Sequence, residues 1–114
     1  RISGNLSRVS MQELNRGLGW VCMRINELQD SLGYFEEALK YLEPADNHLL
    51  NDIYKGKGLC FYNMGKFQDA VDNLSLSINH INLEGREGEK AERMVIKHLE
   101  LQGKILYDLT DKPE

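Results

Sequence analysis

The side chains able to do chemistry in this chain are few and scattered. His48, His80 and His98 lie far apart. No two of them have the four-residue spacing that sets a pair of imidazoles on one face of a helix, so a zinc site is not expected. His98 falls on an apolar stripe, where a core histidine with its hydrogen bonds satisfied is the expectation. Cys22 and Cys60 stand singly inside apolar stretches rather than in a dense framework, which predicts reduced, buried thiols and no disulfide between them.

Three further strings carry partial signals. Tyr62 and Lys66 have the spacing of an oxidoreductase tyrosine–lysine pair, but no dinucleotide fingerprint precedes them and Gly65 breaks the helix between them. Gly56-Lys57-Gly58 lacks the phosphate-loop pattern and sits within a helix. Asn5 and Asn73 each head an Asn-Leu-Ser glycosylation sequence, yet Asn73 adjoins an apolar helical position and no secretory leader is visible. No nucleophile, base and orienting group can be assembled, so neither catalysis nor a cofactor is expected.

Fourteen basic residues against eighteen acidic ones give a net charge of −4, which offers no global field for nucleic acid or an anionic membrane. No apolar run approaches the roughly 18 residues needed to span a bilayer. A cytoplasmic, water-soluble chain is expected. At 114 residues, 41% hydrophobic and 28% charged, the composition fits one folded domain. It begins at Arg1 and stops at Asp-Lys-Pro-Glu, which reads as a fragment of a longer array.

The elements that would position these residues announce themselves by repetition. Leu32–Leu42 (LGYFEEALKYL) and Met64–Leu74 (MGKFQDAVDNL) match 32 positions apart, with glycine, phenylalanine, alanine and leucine in register. Such a period marks helical hairpins that bury their apolar faces on one another. Leu14, Leu18, Val21, Ile25, Leu28 and Leu32 alternate steps of three and four, predicting a first long helix closed by Gly33. Phe35, Ala38, Leu39 and Leu42 give a shorter second helix, with Glu36 and Lys40 paired on its outer face and Pro44 ending it.

A third helix is predicted from Asn47 to Met64, with Leu50, Ile53, Tyr54, Cys60 and Phe61 inward and Gly65 closing it. A longer fourth carries Phe67, Ala70, Val71, Leu74, Ile78 and Ile81 and ends near Gly85. The fifth, about 87–110, carries Met94, His98, Leu101, Ile105 and Leu109, with Glu89–Arg93 and Glu100–Lys104 as ion pairs. No stretch alternates with period two long enough for a strand. The fold class is all-α: hairpins at about 11–44 and 47–84, then the first helix of a third unit. In each hairpin the glycine permits the reversal, the aromatic plugs the corner and the alanine lets the helices approach.

These residues resemble the tetratricopeptide repeat family, whose first helix bears an aromatic, a glycine and another aromatic before a turn glycine and a second helix with an alanine. Tyr54, Gly58, Phe61, Gly65, Phe67 and Ala70 match that pattern in the second unit. The first unit keeps Gly33, Phe35 and Ala38 but has Cys22 and Asn26 for the first aromatic and the glycine. Gly103 and Tyr107 correspond to the first helix of a third unit, after a spacing stretched by about ten residues.

The resemblance implies a right-handed α-solenoid whose first helices line a concave, partner-binding face. The residues it places there are Arg24, Glu27 and Ser31 from the first hairpin, Lys55, Leu59, Tyr62 and Asn63 from the second, and Lys97, Glu100, Lys104 and Tyr107 from the fifth helix. Leu59 where the family's carboxylate clamp has asparagine argues against that clamp and for a mixed or hydrophobic peptide. The implied function is a protein–protein interaction scaffold. The alternative is a regulatory sensor similar to bacterial peptide receptors, and a third reading is self-association through exposed solenoid ends.

Overall fold

The computed structural model describes residues 7–43, 45–81 and 88–110. Five α-helices follow one another: α1 Arg8–Arg24, α2 Leu28–Leu39, α3 Asn47–Asn63, α4 Phe67–Asn79 and α5 Gly88–Thr110. Among the described residues there is no strand. Each helix packs on the next through α1·α2, α2·α3, α3·α4 and α4·α5, with a lighter contact between α1 and α3. The all-α class and the sequential hairpin packing are as expected from the sequence.

The first hairpin turns earlier than its glycine suggests. α1 stops at Arg24, and Gly33 lies inside α2, where a Cβ would meet nothing within 4 Å among the described residues. The reversal is made by Asn26 at φ 66°, a left-handed conformation that asparagine tolerates. The Glu27 N–H then reaches the Cys22 carbonyl at 2.8 Å and the Asn26 N–H reaches Met23 at 3.0 Å, which closes the helix end. In the second hairpin Gly65, at φ 81°, does the same, with Lys66 N–H on Phe61 at 2.8 Å and Gly65 N–H on Tyr62 at 3.0 Å.

The true period is therefore 39 residues, not 32: α1 and α3 both span 17 residues and start at Arg8 and Asn47, while α2 and α4 start at Leu28 and Phe67. Asn26 is the counterpart of Gly65. The 32-residue match pairs letters that serve different places, since Phe35 is a buried mid-helix wedge and Phe67 the half-buried opening residue of α4. α4, at 13 residues, is one longer than α2 but ends at Asn79, ahead of Gly85, which lies outside the described residues, as does Pro44.

Phe35 organises the core. Its ring is fully buried between Gly19 of α1 and Gly56 of α3; a Cβ at Gly19 would lie 2.8 Å from the ring, and at Gly56 nearer still. Trp20 meets Phe35 edge to face with centroids 5.4 Å apart. Thirty-nine residues on, Leu74 rests on Gly58, whose missing Cβ would stand 3.0 Å from Leu74 and 3.3 Å from the Ala70 carbonyl. Ala38 and Ala70 are both fully buried, as the close approach of paired helices requires. Ile53 and Cys60 join Phe35 in one core cluster, and Ile105 joins Leu74 in the other.

Two buried polar links stitch the pairs. The Ser31 hydroxyl donates to the Gly19 carbonyl at 2.6 Å and accepts from the Cys60 thiol at 3.0 Å. The Asn51 amide donates to the Ser77 carbonyl and hydroxyl at 2.7 and 2.8 Å, and that hydroxyl donates back to the Asn51 carbonyl at 2.9 Å. Such networks are costly to leave half made. The expected Glu36–Lys40 pair is replaced: Lys40 meets Glu37 at 3.1 Å, and Glu36 reaches across to Lys57 of α3 at 3.8 Å. Glu89 of the expected Glu89–Arg93 pair has its side chain outside the described residues.

Candidate binding face

The first helices of the two hairpins, with α5, supply the residues expected to face a partner. Ser31 does not belong with them. It lies in α2 with no exposure, committed to Gly19 and Cys60, because the earlier turn moves residues 28–32 out of the first helix and into the second. Glu27 is exposed but sits in the turn as the cap of α2, while Arg24 is the exposed last residue of α1. Lys55, Leu59 and Tyr62 are half-buried along α3, whereas Asn63, Lys97, Glu100, Lys104 and Tyr107 are exposed.

The structure brings Tyr62 and Lys104 together. The ammonium donates to the phenol oxygen at 2.6 Å and lies 5.0 Å from the ring centroid, so a hydrogen bond and a cation–π contact tie α5 to α3. Behind it Phe67 tilts against Tyr62 with centroids 5.5 Å apart. On the α1 side Asp52 plays the comparable part. Its Oδ2 accepts from Trp20 Nε1 at 2.8 Å and from Arg16 at 3.3 Å.

Arg16, Trp20 and Asp52 are not among the residues the sequence reading places on this face, although the signal for the first two is in the sequence. Arg16-Gly17-Leu18-Gly19-Trp20 and Lys55-Gly56-Lys57-Gly58-Leu59 match 39 apart, and Leu28-Gln29-Asp30-Ser31 matches Phe67-Gln68-Asp69-Ala70 at the same step. In that register Arg16 corresponds to Lys55, Trp20 to Leu59 and Met23 to Tyr62. These residues supply cations (Arg16, Lys55, Lys104), a carboxylate (Asp52) and two aromatic rings (Trp20, Tyr62). Among the described residues no group of three or more histidine, cysteine or acidic side chains could hold a metal ion, and no helix is long and apolar enough to cross a membrane.

Both thiols are free. Burial pushes the Cys60 thiol above its ordinary value; the hydrogen bond with Ser31 pulls the other way, and nearby Cys22 adds to the rise. A raised value leaves little thiolate at neutral pH. Iodoacetamide should therefore modify half-buried Cys22 before Cys60, and Cys60 should react only through opening of the chain, its rate rising with pH as the thiolate of the opened state forms. Mass spectrometry of the folded protein during labelling checks this, and equal rates at both sites would contradict the burial.

Comparison with protein-family models, with curated proteins and with solved structures returned no match.

Proposed function

We propose that this chain is a protein–protein interaction module of the tetratricopeptide type, its hairpins stacked as a right-handed solenoid that grips a peptide segment of a partner on the face shared by α1, α3 and α5. The observation that carries the reading is the 39-residue repetition of one packing device, a first-helix glycine seating a large apolar side chain of the second helix at Gly19–Phe35 and again at Gly58–Leu74. Units built this way stack indefinitely and present their first helices side by side. The period exceeds the family's usual one of about 34 residues, and the first hairpin replaces its turn glycine with Asn26.

On this face the anchors are Trp20, Leu59 and Tyr62, with Arg16, Lys55 and Lys104 setting the charge. Large rings held by a hydrogen bond at one edge lose little freedom when a ligand covers them, which is why tyrosine and tryptophan dominate binding hot spots. No reaction is assigned to the chain.

A library of random peptides displayed on phage tests the reading. Selection against the protein should enrich a peptide class whose affinity falls roughly tenfold or more in Tyr62→Ala, the loss of one hot-spot aromatic, and similarly in Leu59→Glu, with helical circular dichroism retained in both. Failure to enrich any peptide, or equal binding by both variants, removes the face from consideration.

A further inference from the structure

The net charge of −4 is not spread evenly over the chain. The face described above follows one stripe along each first helix, at steps of three and four. On α3 it runs through Asp52, Lys55, Leu59 and Tyr62, and on α1, thirty-nine positions earlier, through Glu13, Arg16 and Trp20. On α5 it runs through Arg93, Lys97, Glu100, Lys104 and Tyr107. The bonds of Arg16 and Trp20 to Asp52, and of Lys104 to Tyr62, set the three stripes side by side. Together they hold five cations, Arg16, Lys55, Arg93, Lys97 and Lys104, against three carboxylates, Glu13, Asp52 and Glu100. The face is net positive in a net acidic chain.

Its internal pairing leaves two lysines unmatched. Asp52 is held by Arg16 and Trp20, while Lys104 goes to the Tyr62 hydroxyl and Glu100 pairs with neither Lys97 nor Lys104. Among the described residues no carboxylate pairs with Lys55 or Lys97. Lys55 is half-buried, and a partly desolvated ammonium without a counter-charge attracts a carboxylate more strongly than a fully wet one does. Leu59, half-buried one turn on, and then Tyr62 give an apolar seat beside that charge. We infer that the segment gripped here is acidic: its side-chain carboxylates meet Lys55 of α3 and Lys97 of α5, and an apolar residue rests on Leu59 and Tyr62. The inference rests on the face proposed above and names the chemistry of its ligand.

Continuation of the array does not fill this face. The second hairpin follows the first, and Glu13, Arg24 and Glu27 still stand exposed, because successive units stack along the axis and not across the first helices. A nucleic acid fits the face poorly. Glu13, Asp52 and Glu100 interrupt the cations and repel an unbroken run of phosphates, whereas a peptide sets its carboxylates and apolar side chains apart. The planar fork of Arg16, the geometry a phosphate group prefers, is already taken up by Gln12 and Asp52. The lysines that remain are point charges, which carboxylates satisfy.

The probe is a synthetic peptide alternating glutamate with leucine and tyrosine, rhodamine-labelled and amidated at its C-terminus so that only side-chain carboxylates count. It is titrated into the intact chain by fluorescence anisotropy. The same peptide with glutamine for glutamate should bind about tenfold more weakly, and raising salt from about 0.05 to 0.5 M should weaken the acidic one by a similar factor. Lys55→Glu and Lys97→Glu should each weaken it about five- to tenfold with the thermal midpoint little changed. Lys40→Glu, the same charge change at the exposed cap of α2, should leave it unaltered. Equal binding by the two peptides, or none by either, overturns the inference, as does an equal loss in Lys40→Glu, which would make the effect one of total charge. A single-stranded oligonucleotide that binds more tightly than the acidic peptide and is lost in Lys55→Glu overturns it too. In the phage selection, peptides without acidic residues that Tyr62→Ala loses and Lys55→Glu keeps would overturn the acidic ligand and leave the face standing; failure to enrich any peptide removes both.

Discussion

Phe35→Ala should lower the unfolding free energy by about 3–5 kcal/mol, a large fraction of the roughly 5–15 kcal/mol that holds a small domain together. The ring is fully buried and is shared by three helices: it belongs to α2, covers Gly19 of α1 and Gly56 of α3, and takes the edge of Trp20. Removing it leaves a void walled on two sides by glycines, which have no side chains to swing inward, so relaxation is limited and the cost falls toward the upper end. Urea titration followed by Trp20 fluorescence reads the change directly, since the lone tryptophan reports on the ring it touches. Gly17→Ala is the control. Gly17 is an exposed α1 glycine where an added methyl would meet nothing within 4 Å among the described residues, and helix propensity predicts a gain of about 0.5–1 kcal/mol there. A loss below about 1 kcal/mol for Phe35→Ala would mean that the ring does not wedge the two hairpins together.

How much of this is legible in the sequence depends on which signal is followed. Helical periodicity locates α3 and the start of α4 well, because Gly65 ends one helix and Phe67 opens the next, and both signals are local. It fails across Arg24–Leu28, where apolar residues at Leu14, Leu18, Val21, Ile25, Leu28 and Leu32 keep three-and-four spacing straight through a turn. Asn26 makes that turn without glycine or proline, so nothing in the spacing marks it. Gly33 then draws the boundary several residues late and puts Ser31 on a surface, although it is buried. Leu14, Val21 and Ile25 look inward-facing for the same reason and are about half exposed or more, since periodicity shows that a face is apolar but not what covers it. The reliable long-range signal is the cationic residue with Gly-x-Gly, repeated at Arg16 and Lys55, because three of those four glycines, Gly19, Gly56 and Gly58, answer to a tertiary demand, the approach of Phe35 and Leu74. Of the candidate face, the Tyr62–Lys104 contact joins two residues that the sequence already singles out. The Trp20–Asp52 bond needs the corrected register.

Leu74→Ala should cost about 2–5 kcal/mol, and its effect should travel in one direction. Leu74 fills the second seat, against Gly58 and the Ala70 carbonyl, and its cluster includes Ile105 of α5 with Leu101 beside it. α5 rests on α4 and is also tied to α3 by Tyr62–Lys104, whose exposed ammonium adds little energy. Loosening Leu74 therefore removes the main support of α5, while α1 and α2 keep Phe35, Trp20 and the Ser31 hydrogen bonds. In a stacked array, where each unit leans only on its neighbours, a local loss shows as local opening before it shows as global unfolding. Hydrogen exchange on Leu74→Ala should accordingly show amide protection falling most in α5 and α4, less in α3 and least in α1 and α2. An equal fall in all five helices would mean that the two hairpins unfold as one cooperative block and that the seats at Gly19 and Gly58 are not separable. Unchanged protection in α5 would mean that Leu74 does not support that helix.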